Sequence, residues 1–261
     1  MSEQTEAITT FQKFRSMLGI AVFFVVLLLF TPVILLLLIL SFGRLSSFVV
    51  EKIAPIITKP VFPITGLRFT VNKHVDPIPY PAVYIINHSS TLDMLTILAL
   101  GLPRVRFVAK WQFQYNPIFF ILGHLTGQVF IRREKSDKAV ATLQKNVKRI
   151  RRKELSVMLA PEGSRKHPGI IGPFKKGPFR MAMELGYPIV PIYFEGNREL
   201  SEGGSMITRP GDLTAHIHPP IDISGWTVEN LDEHIAEVRE RYLDWAGVAS
   251  EEENSRDDTF Q

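Results

Sequence analysis

His88 and Asp93, a histidine and an aspartate five positions apart, are the residues in this sequence best suited to move a proton. They follow the apolar run Val83–Ile86, which reads as a buried strand, and they border Met94–Leu100, apolar enough to be a packed helix. Ser90 and Asp93 have the spacing of a capping box, with Ser90 at the N-cap and an acid at the third helical position. The helix dipole favours an anionic carboxylate in that first turn, and the side chain reaches back toward the loop carrying His88. A carboxylate hydrogen-bonded to an imidazole fixes its tautomer and stabilises the imidazolium. His88 could then take a proton from a bound hydroxyl at neutral pH. The pair also fits a plainer reading, a helix-start acid beside a polar loop histidine, so on its own it does not establish chemistry.

A second set of residues carries positive charge to strand ends. Ser156–Ala160 reads as a buried strand closing in Pro161-Glu162-Gly163-Ser164-Arg165-Lys166. A glycine-containing loop followed by arginine can present amides and a guanidinium to a phosphate. Phe107-Val108-Ala109-Lys110 puts a lysine at another strand end, and the run from Gly127 to Arg133 puts Arg132 and Arg133 at a third. If these strands run in one sense, their ends form a basic pocket beside His88. In a different sheet order each is an ordinary surface charge.

The elements that must position these groups alternate. Strands are expected near 67–71, 82–86, 105–109, 128–132, 156–160, 189–194 and 214–218. Helices are expected near 92–101, 111–124, 137–153, 177–185 and 228–246, the fourth with Gly177 at its cap, Pro178 at its first position and Gly186 past its end. Such alternation implies an α/β fold, a mostly parallel sheet flanked by helices. Residues 55–81, with six prolines, read as a connector over the domain surface that holds the first strand.

From Ser16 to Gly43 there is no charged residue, a run long enough to cross a bilayer. Pro32 interrupts it. Two arrangements follow: one kinked span, or a helical hairpin with pieces near 17–30 and 33–54 dipping into one leaflet. Flanking charges do not separate them. The expected organisation is a membrane-anchoring segment at 1–54, a catalytic domain at 55–249 and an acidic tail at 250–261, and deleting residues 1–45 is expected to leave a protein that binds anionic vesicles only at low ionic strength. Residues 132–153 carry ten Lys or Arg. They read either as a solvated basic helix or as a face turned to anionic headgroups. Nothing accompanies that charge in the way nucleic-acid binding would require. Cysteine is absent, which removes thiolate nucleophiles and cysteine-based zinc sites, and the seven histidines are not clustered as metal ligands.

Four ordered blocks resemble the glycerolipid acyltransferase family, which includes bacterial 1-acylglycerol-3-phosphate acyltransferases. His88 to Asp93 is similar to its His-x-x-x-x-Asp signature and Gly127 to Arg133 to its Gly-x-x-Phe-Ile-x-Arg block. Glu162-Gly163-Ser164-Arg165 is similar to its Glu-Gly-Thr-Arg, with Ser for Thr, and Ile189–Ile192 to its apolar Val-Pro block. The resemblance spans about 75 to 245. It implies acyl transfer, without metal or cofactor, from acyl coenzyme A or acyl carrier protein to the sn-2 hydroxyl of a 1-acylglycerol-3-phosphate, giving phosphatidic acid. Another lysolipid, or glycerol-3-phosphate, is the alternative acceptor. His88 would be the base and Asp93 its orienter. Lys110, Arg133 and Arg165 would hold the acceptor phosphate, and Glu162, Gly163 and Ser164 would line the acceptor site. The partners implied are a phospholipid membrane, a lysophospholipid and an acyl thioester, with the active site at the cytoplasmic face of an inner membrane. A hydrolase using Gly-x-Ser-x-Gly is not supported, because the chain has no such motif.

Overall fold

In a computed structural model, residues 8–131, 145–164, 170–201 and 205–248 are described. Residues 132–144 of the basic segment, which include Arg133, and Arg165, Ala249 and the acidic tail at 250–261 lie outside them.

The apolar run forms one helix, α1 (Thr10–Leu40), which continues through Pro32. Proline removes a backbone donor and crowds the preceding turn. The neighbouring Thr31 hydroxyl donates to the Leu27 carbonyl at 2.7 Å, a polar contact the helix supplies to itself. The chain reverses instead at residues 41–45, where Phe42 (φ 51°) and Gly43 (φ 74°) are both left-handed. The return arm is α2 (Ser46–Phe48), a π-helical turn (Val49–Ile53), α3 (Ala54–Thr58) and α4 (Val61–Thr65). The break expected at 54/55 falls inside this run, and the expected surface connector is therefore helical as far as Thr65.

This hairpin lies along the domain. Gly19 of α1 faces α4, where a Cβ would overlap the Thr65 side chain. Phe23, Leu27, Ile34 and Leu38 pack on Val49, Ile53, Ile57 and Val61. Near its start, Arg15 donates to the carbonyl of Ile64 at 3.1 Å, and the Ser16 hydroxyl accepts from the Thr208 amide at 2.9 Å. At the tip, the buried Arg106 guanidinium donates to the hydroxyls of Ser46 and Ser47 at 3.0 and 3.1 Å. The remaining surface of α1 stays apolar and exposed, from Phe14 and Met17 through Leu29 to Leu40.

Seven strands form one sheet: β1 (Leu67–Lys73), β2 (Val83–Ile86), β3 (Val105–Lys110), β4 (Val129–Ile131), β5 (Ser156–Leu159), β6 (Ile189–Glu195) and β7 (Gly211–Ile217). Their order is β1-β7-β6-β2-β5-β3-β4. The five from β6 to β4 are mutually parallel; β7 pairs antiparallel with β6, and β1 parallel with β7. The sheet is thus mostly parallel, and β2 at its centre is buried at all four positions, which is why it reads as a continuous apolar run. The helices are α5 (Asp93–Leu100), α6 (Pro117–Leu125), α7 (145–152), α8 (Lys176–Leu185), α9 (Asn197–Leu200) and α10 (Leu231–Trp245). The element expected at 111–124 divides into a 3₁₀ turn (Trp111–Tyr115) and α6, because Asn116 caps a new start ahead of Pro117. α8 begins at Lys176, so Lys175, two residues earlier, holds the cap expected of Gly177. α10 seats the Tyr242 hydroxyl between β2 and β6, donating to the Ile85 carbonyl at 2.8 Å and accepting from the Ile192 amide at 3.2 Å.

At the β1–β7 edge the rings of His74, His216 and His218 lie together, and His218 stacks on Trp245 at 3.6 Å. Burial, reinforced by His74 and His216, pushes the His218 imidazole down to about 4. Its unfolded value is near 6.5, so below that pH the unfolded chain binds the proton first. Folding stability is expected to fall as pH drops from about 6.5 to 4, by on the order of 1 kcal/mol after allowing for a half-exposed ring. Denaturant titrations at pH 7 and 4.5 check this: His218→Gln should flatten that part of the slope, and an unchanged slope would remove His218 as its source.

Candidate active site

The parallel order carries the C-terminal ends of β2, β5, β3, β4 and β6 to one edge of the sheet. β2 delivers Asn87 and His88. The Asn87 side chain donates through Nδ2 to the Phe194 carbonyl at 2.9 Å and accepts at Oδ1 from the Phe194 backbone amide at 2.7 Å. It thereby extends the β2–β6 ladder one residue past Ile86 and sets the direction of the loop. From the other side, one Glu162 oxygen accepts the His88 amide at 2.7 Å and the second accepts the Gly172 amide at 2.8 Å. Glu162 is 2% exposed. Its carboxylate accepts from two backbone donors, so it fixes the His88 main chain, and Glu162 is not among the residues that line the cavity described below.

Asp93 is fully buried. Its Oδ2 accepts from His88 Nδ1 at 2.6 Å and from the amides of Ser89 and Ser90 at 3.0 and 3.1 Å, while Oδ1 accepts from Asn197 Nδ2 at 2.7 Å. The reciprocal half of the expected capping box is absent. The Ser90 hydroxyl accepts from Leu92 at 3.1 Å, and α5 starts at Asp93 with Leu92 at its cap. The physical cause is the tight loop that three donors draw around one carboxylate oxygen. A carboxylate can only accept here, so Nδ1 carries the proton and Nε2 is left as the acceptor. His88 is partly exposed.

His88 lines a cavity of about 610 Å³. One wall is the hairpin, through Phe23, Leu27, Ile34, Val49 and Ile57. The other is the sheet and α6, through Phe107, Met158, Leu122 and Phe130. Lys110, Gly163 and Ser164 line it with His88, so the structure brings these four together. Gly163 is left-handed (φ 70°), and the Lys175 side chain lies over it. Of α7, Val147 and Ile150 are buried and Arg149 turns inward to donate to the Gly127 carbonyl at 2.8 Å. The basic segment is thus not a wholly outward face. Among the described residues no three His, Asp or Glu side chains are grouped as a metal ion would require. Sequence reasoning missed Asn197, whose one signal is its place directly after an apolar strand, and the contribution of α1 to the cavity.

A family model described as Acyltransferase matches residues 69–195. Relatives named 1-acyl-sn-glycerol-3-phosphate acyltransferase include one from Limnanthes douglasii, 31% identical over 162 residues (62% of this chain, 58% of that one). Another, from Haemophilus influenzae, is 35% identical over 150 residues (58% and 62%). A third, from Escherichia coli, is 30% identical over 178 residues (68% and 72%). The matched region thus spans about three fifths of the length of the first two. Among solved structures, the crystal structure of the 1-acyl-sn-glycerophosphate (LPA) acyltransferase PlsC from Thermotoga maritima superposes with a TM-score of 0.73. It covers 92% of this chain and 99% of that one at 22% identity, and shows the fold.

Proposed function

The chain belongs to the acyltransferase family, and from that premise we propose that it transfers an acyl chain from an acyl thioester to the sn-2 hydroxyl of 1-acylglycerol-3-phosphate, producing phosphatidic acid for phospholipid synthesis. The observation that carries this reading is the His88–Asp93 pair opening onto an apolar cavity that also reaches Lys110. In the proposed step, His88 Nε2 takes the acceptor hydroxyl proton as that oxygen bonds to the thioester carbonyl carbon. Asp93 stabilises the imidazolium. The tetrahedral intermediate collapses with loss of the C–S bond, and the leaving thiolate recovers the proton from Nε2. No residue becomes acylated, and the route draws on no metal or cofactor. The donor is acyl coenzyme A or acyl carrier protein.

Lys110, with Arg133 and Arg165, is proposed to bind the acceptor phosphate, and Gly163 and Ser164 to border the glycerol. The apolar cavity suits a fatty chain. The exposed apolar face of α1 suits a membrane, and we place the enzyme in one leaflet at the cytoplasmic face of an inner membrane. A helix held to the domain at both Ser16 and the hairpin tip supports lying in the surface rather than crossing it. The test is incubation of the purified full chain with a labelled acyl thioester and a panel of lysolipids and glycerol-3-phosphate. Labelled phosphatidic acid as the main product is expected. Product from the other acceptors alone, or none, overturns the assignment.

A further inference from the structure

Asp93 Oδ2 is crowded by three donors, whereas among the described residues Oδ1 takes one, from Asn197. Asn197 is 1% exposed. Its Nδ2 donates to Asp93 at 2.7 Å and to the Thr96 hydroxyl at 3.4 Å, but its Oδ1 is buried with no hydrogen-bond partner. Turning the amide over would not mend this, because the carbonyl would then face the carboxylate. An orphan acceptor in the interior is costly, and here it accompanies a donor aimed at a buried anion. The backbone brings the residue into place: Gly196 is left-handed (φ 85°), and a Cβ there would overlap the Asp212 carbonyl. β6 therefore ends in a turn that only glycine fits, with Asn197 next along.

We propose that Asn197 is a positioning residue for acyl transfer, which orients the Asp93 carboxylate so that its other oxygen is presented to His88 Nδ1. This rests on the reading of His88 as the base. Asn197 touches neither the cavity nor, by this reading, the substrate. Its loss should therefore lower turnover and leave acceptor binding alone.

The experiment uses the full chain in detergent with 1-acylglycerol-3-phosphate. Asn197→Ala and Asn197→Leu are each expected to lower kcat about 10- to 100-fold, the worth of one hydrogen bond to a charged group, with the acceptor KM within about threefold. The leucine variant separates donor from packing: it is close to asparagine in shape but has no N–H for Asp93. If Asn197→Leu retains wild-type kcat, or if only KM moves, the proposal is overturned. A substrate-free measurement stands beside the kinetics. Wild-type protein should show a low-field proton signal from His88 Nδ1–H, assigned by its loss in His88→Gln, together with an Asn197 side-chain amide protected from exchange. The His88 signal should move upfield or broaden in Asn197→Ala. If the variants do not fold, a freely exchanging Asn197 amide in the wild type overturns the proposal. A wild type inactive on every lysolipid defeats the functional reading instead, and the proton signals still decide the role of Asn197.

Discussion

Replacing His88 with alanine is expected to lower acyl transfer by at least about a thousandfold, within the range ascribed to a positioned general base, while the fold is retained. His88 is partly exposed at the cavity, and its hold on the loop runs through its backbone amide to Glu162, so alanine preserves what the main chain does. Asp93→Asn should cost about as much, for a different reason. All four partners of the Asp93 side chain are donors. An asparagine there must point its own NH2 either at His88 and the two serine amides, a donor facing donors, or at Asn197, whose amide must then turn over to accept it and give up its bond to Thr96. It should therefore lose stability as well as turnover. Steady-state kinetics with thermal melts would check both variants. A His88→Ala enzyme within tenfold of wild type would sink the proposed mechanism.

Removing residues 10–40 is expected to abolish activity even on a short-chain, soluble acyl donor, and to leave a protein that aggregates without detergent. The segment is not a detachable anchor: Phe23, Leu27 and Ile34 are cavity wall, and Val49, Ile53, Ile57 and Val61 lose the surface that buries them. A pair of point changes separates the two faces of α1. Leu38 is 2% exposed and Leu29 is 68% exposed. Leu38→Ala should destabilise by about 2–5 kcal/mol, whereas Leu29→Lys should fold and turn over in detergent but wash more readily from vesicles. A folded, active domain lacking α1 would show that the hairpin is dispensable, and the cavity assignment would fall with it.

The sheet is legible because its central strands are short apolar runs between turn residues and β7 alternates, and every strand lies within a few positions of its expected place. The pairing of His88 with Asp93 was legible because five residues of one loop and one helical turn leave little choice of geometry. Three things were not legible, each set by contacts far apart in sequence. Pro32 looked like a break, but an apolar helix packed along its length tolerates it, and the reversal came at Phe42 and Gly43. The inward face of α1 was invisible because its outward face is apolar too, so no periodic pattern distinguishes Leu38 from Leu29. Glu162 sits in a motif with charged neighbours and reads as a substrate contact. Only the approach of the Gly172 and His88 amides shows that its carboxylate is already taken.

If the proposed function holds, the wall that α1 lends to the cavity changes what substrate concentration means. With α1 facing a bilayer as proposed, a fatty chain between that helix and the sheet would arrive sideways from the lipid, never passing through water. The relevant variable is then the mole fraction of lysolipid in the surface. Diluting the substrate with inert phospholipid at fixed bulk concentration should slow the reaction, while adding more vesicles of the same composition should leave the velocity per bound enzyme unchanged.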